Sequence, residues 1–225
     1  MNIMNTLKNV NVLHIMKFMS KLKKFIMMAN QIDDEPSLPS EYMRLKYLEA
    51  TGTQYIDLGY SLGYNNKVIA DIEPKSSTTA SVVIINITNT SKSIQLNIQN
   101  AAGGQRFGNV LNARNLYREG RYSVSIDNKG VSAKDDFYAW NASVSDFTTE
   151  GNVFLFGIKN VYPYKGKMYS CQIYENDVLI HDYVPVFNVN ESKVGIYDLI
   201  TGIFLTNNGT GEFTYGYVDD VKNNN

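Results

Sequence analysis

The chain has 225 residues, 44% of them apolar, and a formal net charge of −1; the length suits one sizeable domain and the apolar fraction excludes wholesale disorder. Sixteen Tyr and ten Phe against five Pro favour pleated structure, while one Cys and two His exclude a disulfide framework, a thiolate zinc cage and a His-rich metal site. Residues 1–32 hold five Lys and no acid, leaving 16 basic against 22 acidic groups beyond them, so the main body lacks the basic surface that nucleic-acid binding requires.

Residues 1–29 form a basic N-terminal segment. Val12, Ile15, Met16, Met19, Leu22 and Ile26 recur at helical spacing, with Lys17, Lys21 and Lys24 on the opposite side, which predicts an amphipathic helix. Lys17 breaks the apolar run, which is too short to span a bilayer, and no apolar core precedes a small-residue cleavage site. Three readings are open: a helix that docks on another protein, a helix on a membrane surface, and a translated leader upstream of a start at Met27 or Met28. Residues 30–41, "NQIDDEPSLPSE", carry three consecutive acids and two prolines and read as a linker.

From Tyr42 to residue 217 the period is two. "KVIADIEP" sets Val68, Ala70 and Ile72 against Lys67, Asp71 and Glu73, and "SIQLNIQN" sets Ile94, Leu96 and Ile98 against Gln95, Asn97 and Gln99. "RYSVSIDNKG" alternates and then turns at Asp127–Gly130. "SVVIINI" (81–87) and "NVFLFGI" (152–158) are apolar on both faces, as strands inside a two-layer stack would be, and "KMYSCQIYEN" and "VLIHDYVPVF" continue the series. Residues 218–225 are predicted as a disordered tail. The expected fold is all-β, a two-sheet antiparallel sandwich behind an N-terminal amphipathic helical segment.

Reactive chemistry is sparse. No G-x-S-x-G or H-E-x-x-H motif occurs. Asp71 and Glu73 share a strand face, but the third acid of a glucanase-type set is missing and Pro74 ends the strand, so they read as outer-face carboxylates. Cys171 alternates with Tyr169 and Ile173 and reads as a small buried group; His181 reads as a structural hydrogen-bonding residue. "GTG" at 209–211 is a turn with no helix behind it to bind phosphate. No catalytic residue, metal site or cofactor is expected.

Aromatic residues in turn-rich stretches are the alternative. A sugar ring stacks its C–H face on aromatic planes and offers hydroxyls to amides. Trp140, Tyr162 and Tyr164 are the candidate platform for a glycan, with Gln95, Asn97 and Gln99 as the candidate polar stripe. The bland reading is that these rings close the rim of the sandwich and the amides face water.

"YLEATGTQYIDLGY" (47–60), "GNVFLFGIKN", "YKGKMYSCQIYENDVLIHDYVPVFN" and "VGIYDLITGIFLTNNGTGEFTYG" carry a family resemblance. The first resembles the opening strand of concanavalin A-like (laminin-G-like) jelly-roll domains, where it reads "YLxSTGTQYIDTGY". The later ones resemble the family's "GKIYSCKIYD", "LVRDFVP" and "GLYDxVxxKFFxNxGTGxF". The likeness covers about residues 45–216 and is most specific at its ends. It implies a jelly roll with Tyr55, and with it Tyr47, packed inward, Thr51 and Gln54 turning near the edge, and the terminal segments side by side. It also implies a glycan- or protein-binding role in phage virions, as fibre or capsid decoration, with the N-terminal segment docking on other virion proteins. A bacterial cell-surface adhesin is the alternative and a glycoside hydrolase the less favoured one. A homo-oligomer would gain avidity from many weak sites. His181 stands where the family often has Arg, and no calcium-ligand cluster is visible.

Overall fold

The alternation that begins at Tyr42 becomes the first strand of the computed structural model, which describes residues 38–75, 82–86, 92–98, 104–158 and 162–218. Strands β1 (Tyr42–Thr51), β2 (Ile56–Asp57), β3 (Asn66–Pro74), β4 (Val82–Asn86), β5 (Ile94–Asn97) and β6 (Gln105–Phe107) open the series. They are followed by β7 (Val110–Asn112), β8 (Tyr122–Ile126), β9 (Gly130–Ala133), β10 (Asp136–Ala139), β11 (Phe154–Leu155) and β12 (Gly157–Ile158). β13 (Tyr162–Pro163), β14 (Lys165–Glu175), β15 (Val178–Asn188), β16 (Lys193–Asp198), β17 (Phe204–Thr206) and β18 (Thr214–Tyr217) complete it. The described residues contain no helix, hence none long and apolar enough to cross a membrane. The amphipathic helix expected over residues 1–29 lies outside them, as do the tail from 219 and Gln99.

Sixteen of the strands form two antiparallel sheets stacked as a sandwich, and β12 and β13 make a separate two-stranded ladder. The larger has ten strands in the order β10-β9-β8-β3-β14-β1-β15-β16-β17, with β18 also paired to β1; the smaller runs β2-β11-β4-β5-β6-β7. Val68, Ala70 and Ile72 of β3 and Val124 of β8 meet Ile84, Leu96 and Leu155 of the small sheet in one core, all at 0–1% exposure. Each Val, Leu or Ile among them is worth about 1.5–3 kcal/mol when taken out of water. A second, smaller cluster of Val184, Val186 and Tyr197 sits apart, with Leu38, Tyr42 and Phe204 packed on it. The "DNKG" turn forms as its residues predict: the Asp127 carboxylate accepts from Lys129 N and Gly130 N.

β14 and β15 are a hairpin paired near its turn, Cys171 to Tyr183 and Glu175 to Val178. Farther from the turn the two part, and β1 enters the fork. Its first half pairs with β15 (Tyr42 with Asn188), its second half with β14 (Leu48 with Met168), and β18 lies along its other side (Glu49 with Thr214). The first and last described strands are therefore neighbours.

Two motifs that carried the resemblance meet here. Asn207 and Asn208 accept from the amides of Tyr55 and Asp57, and the Thr53 hydroxyl donates to Thr210 O at 2.7 Å. Gly209 lies so close to this strand that a Cβ there would stand 2.1 Å from Thr53 O. Gln54 does not turn at the edge. It is 4% exposed, turned in so that its Oε1 accepts from Thr51 N and Thr53 N and holds the bend.

Tyr47 does not pack inward. The β1–β18 register slips between Leu45 and Tyr47, so Leu45 and Leu48 both enter the core and Tyr47 faces outward. Gly216 receives it: a Cβ on Gly216 would stand 2.5 Å from the Tyr47 ring. Tyr55 is half-buried, edge-on to Phe154.

Candidate functional site

A second slip, in β14, shapes the outer face of the large sheet. Opposite β3 the register shifts between Met168 and Ser170, so Tyr169 and Ser170 both face outward. Lys167 and Tyr169 before the bulge, and Ser170, Gln172 and Tyr174 after it, then share one face, while Met168, Cys171 and Ile173 are buried. Cys171 is buried as expected, but Tyr169 is not its facial partner as simple alternation implied. The phase change is written in the sequence, where polar and Tyr side chains sit at odd positions through 169 and at even positions from 170.

The two bulges, in adjacent strands, set Tyr47 and Tyr169 edge to face with centroids 5.6 Å apart. Arg121 lies 3.9 Å over the Tyr169 ring and grips Asp71 with Nε at 3.0 Å and a second nitrogen at 2.6 Å. Lys167 Nζ donates to Glu73 at 3.0 Å and sits 4.8 Å over Tyr47. The Tyr169 hydroxyl donates to the other Glu73 oxygen, and with the Lys167 ammonium this holds the Glu73 carboxyl below the usual carboxylate range.

Beside this network runs a shallow groove of about 520 Å³, lined by Ile69, Asp71, Arg121, Ser123, Ser170 and Gln172. Gln172 is fixed from both sides: it accepts from the Tyr174 hydroxyl at 3.0 Å and donates to Asp182 at 3.3 Å. An apolar floor at Ile69, neutralised charge at Asp71–Arg121, and hydroxyl and amide groups around it suit a ligand that is part C–H and part hydroxyl.

The sequence candidates are dispersed. Tyr164 is wholly buried, packed on Phe156 with its hydroxyl donating to Lys167 O, which removes it from any solvent-facing platform. Trp140 is half-buried against Phe107, its indole donating to Asp127 O at 2.8 Å, and closes the rim. Tyr162 is described only as backbone, paired with Ile158. Gln95 and Asn97 do not face water: they are 7% and 1% exposed on the central strand β5, between β4 and β6. Alternation identified the core-facing side of β5 correctly and says nothing of what covers the other.

Bond-breaking chemistry finds little support in this geometry. Asp71 and Glu73 share the outer face, but each is tied to a cation, and Glu73 is shifted opposite to what a general acid requires. His181 Nδ1 lies 2.6 Å from the buried Asp198 carboxylate, and the ring stacks on Tyr60 and on Tyr183. Burial opposes ionisation of Asp198, yet bonds from Thr201, His181 and the amides of Asp182 and Ile200 win and hold its pKa below the usual range. Its four acceptor positions are all used, so the pair braces the β16–β17 turn. Among the described residues no three metal-ligating side chains cluster.

No family model and no curated protein matches the sequence. Among solved structures, the fold is similar to a "putative carbohydrate binding protein" from Bacteroides ovatus, with TM-score 0.51 and 16% identity over 79% of this chain. The chain spans 61% of that protein's length. At that identity the likeness is one of fold, an all-β sandwich.

Proposed function

We propose that residues 42–217 form a concanavalin A-like, lectin-like module that binds carbohydrate in the groove between Asp71–Arg121 and Gln172, without cleaving it. The observation that carries the reading is the pair of bulges in β1 and β14, which gather Tyr47, Tyr169, Ser170 and Gln172 on one outer face. Bulges that re-aim side chains recur beside functional sites. The fold likeness to the Bacteroides ovatus protein, named for carbohydrate binding, supports the same reading. The test is a glycan array probed with the full chain, its Arg121→Ala and Gln172→Ala variants, and Lys193→Ala as a remote control. Binding lost in the first two and kept in the control supports the site; binding unchanged in all three removes it.

The biological setting we propose is a virion of a phage infecting gut bacteria, as a fibre or capsid-decoration protein, with the basic segment 1–29 docking on another virion protein. The sequence motifs at 47–60 and 194–216 support this. A bacterial cell-surface adhesin is the second reading, favoured by the fold likeness to a bacterial protein. Mass spectrometry of purified particles separates the two, since a virion protein must be found there.

A further inference from the structure

At the turn end of the large sheet lies a second cleft of about 240 Å³, lined by Asn65, Asn66, Lys67, Asp127, Asn128, Lys129, Asn176 and Asp177. It is built by three turns converging: the approach to β3, the β8–β9 turn and the β14–β15 turn, with Asn176 N donating to Asn65 O at 3.0 Å. Asn176 and Asp177 hold φ of 50° and 63°, as a two-residue hairpin turn demands, which fixes both side chains at the mouth. Lys67 and Lys129 are matched in number by Asp127 and Asp177, Asn66 is spent on Gly63 N and Tyr174 O, and the amides of Asn65, Asn128 and Asn176 supply the neutral hydrogen-bonding capacity.

This cleft and the groove are joined along the strands. In the β3–β14 register Asp71 faces Ser170, Ile69 faces Gln172 and Lys67 faces Tyr174. Lys67 lines the end cleft and sits 5.9 Å over the Tyr174 ring, whose hydroxyl donates to Gln172, a wall of the groove. From Asp71 to Lys67 the Cα path is roughly 13 Å at strand spacing, longer than a single sugar ring. Apart from the apolar floor at Ile69 the path is polar or aromatic, and the charges at its groove end, Arg121 on Asp71 and Lys167 on Glu73, are paired with each other. A strongly anionic ligand would have to displace those partners, whereas hydroxyls can add to them.

We infer that groove and end cleft form one extended track that takes an uncharged linear oligosaccharide several units long, lying along β3 and β14. The inference rests on the carbohydrate-binding reading above and deepens it. The test is calorimetry on the full chain with mono-, tri- and hexasaccharides of β-1,4-linked glucose, mannose and N-acetylglucosamine, and with a polygalacturonate hexamer as the anionic arm. A double variant, Asn128→Ala with Asn176→Gly, strips the end cleft and keeps the positive φ. For at least one neutral series, affinity should rise about tenfold or more from tri- to hexasaccharide, and the double variant should collapse that ratio to near one. If the trisaccharide binds as tightly as the hexasaccharide, or the variant keeps the ratio, the track is overturned while the groove stands. If the polygalacturonate hexamer binds tighter than every neutral hexasaccharide, the uncharged class is overturned. If none of the panel binds, both the track and the carbohydrate-binding reading fall.

Discussion

The side-chain amide of Gln54 donates to the main-chain carbonyl of Glu212 at 3.0 Å, across a sequence separation of 158 residues. Together with the Asn207 and Asn208 contacts to Tyr55 and Asp57, it clasps the stretch after β1 to the loop before β18. The most distinctive motifs, at 47–60 and 194–216, therefore serve mainly closure of the sandwich, with Tyr47 reaching the outer face beside the groove. Replacing Gln54 with Leu leaves the amides of Thr51 and Thr53 without that acceptor. The expected loss is about 2–4 kcal/mol, read from urea unfolding.

Gly209→Ala attacks the same clasp sterically. A methyl group 2.1 Å from Thr53 O forces the loop off its seat, and the expected loss is about 1–3 kcal/mol. Gly120, which has open space around it, is unsuitable as a comparison because its φ is +78°; Gly151→Ala, whose nearest atom is 3.7 Å away, is the better control and should lose less.

Arg121→Ala separates binding from stability. The guanidinium is half-exposed, so its ion pair with Asp71 contributes at most about 1 kcal/mol to folding. The same change removes the groove's wall and its contact over Tyr169, and glycan affinity should fall more than tenfold while the unfolding midpoint barely moves.

Asp198 makes a pH prediction. Its pKa is lowered in the fold, so its contribution is fully present above the ordinary carboxylate value of about 4 and is lost as pH falls through the lower folded value. Asp198→Asn should cost about 2–4 kcal/mol at pH 7, with the gap to the native chain narrowing in acid. Parallel unfolding curves at pH 7 and pH 3 check it; a gap that widens in acid contradicts the assignment.

Burial pushes the Cys171 thiol well above its ordinary pKa. It should therefore resist Ellman's reagent in the native state and react only as fast as the chain opens, with labelling accelerating in urea. Rapid labelling of the folded chain would show that β14 does not seal the core.

Much of the scaffold was legible from residue alternation. Val68, Ala70 and Ile72 fell inward as read, Ile94 and Leu96 likewise, and "SVVIINI" gave a strand buried on both faces at 82–86. The site was less legible because it depends on departures from alternation. A bulge moves Tyr47 and Tyr169 to the opposite face from the one a strict period of two assigns; in β14 the switch of polar residues from odd to even positions marks it, while in β1 the pairing with β18 reveals it. Tyr164 misled for a related reason: a Tyr beside Pro and Gly looks like rim chemistry, yet its hydroxyl finds a carbonyl inside the core.

Strand β1 emerges early in synthesis and must wait. Its partners are residues 165–168, 186–188 and 214–217, so it has no ladder to join until most of the chain has left the ribosome. Such non-local wiring makes for slow folding, with an unpaired, Leu-bearing ribbon exposed meanwhile to other chains. Shortening the C-terminus past Thr214 would leave one flank of that ribbon permanently open, and clumping of nascent protein, more than weakened ligand capture, is the failure to expect.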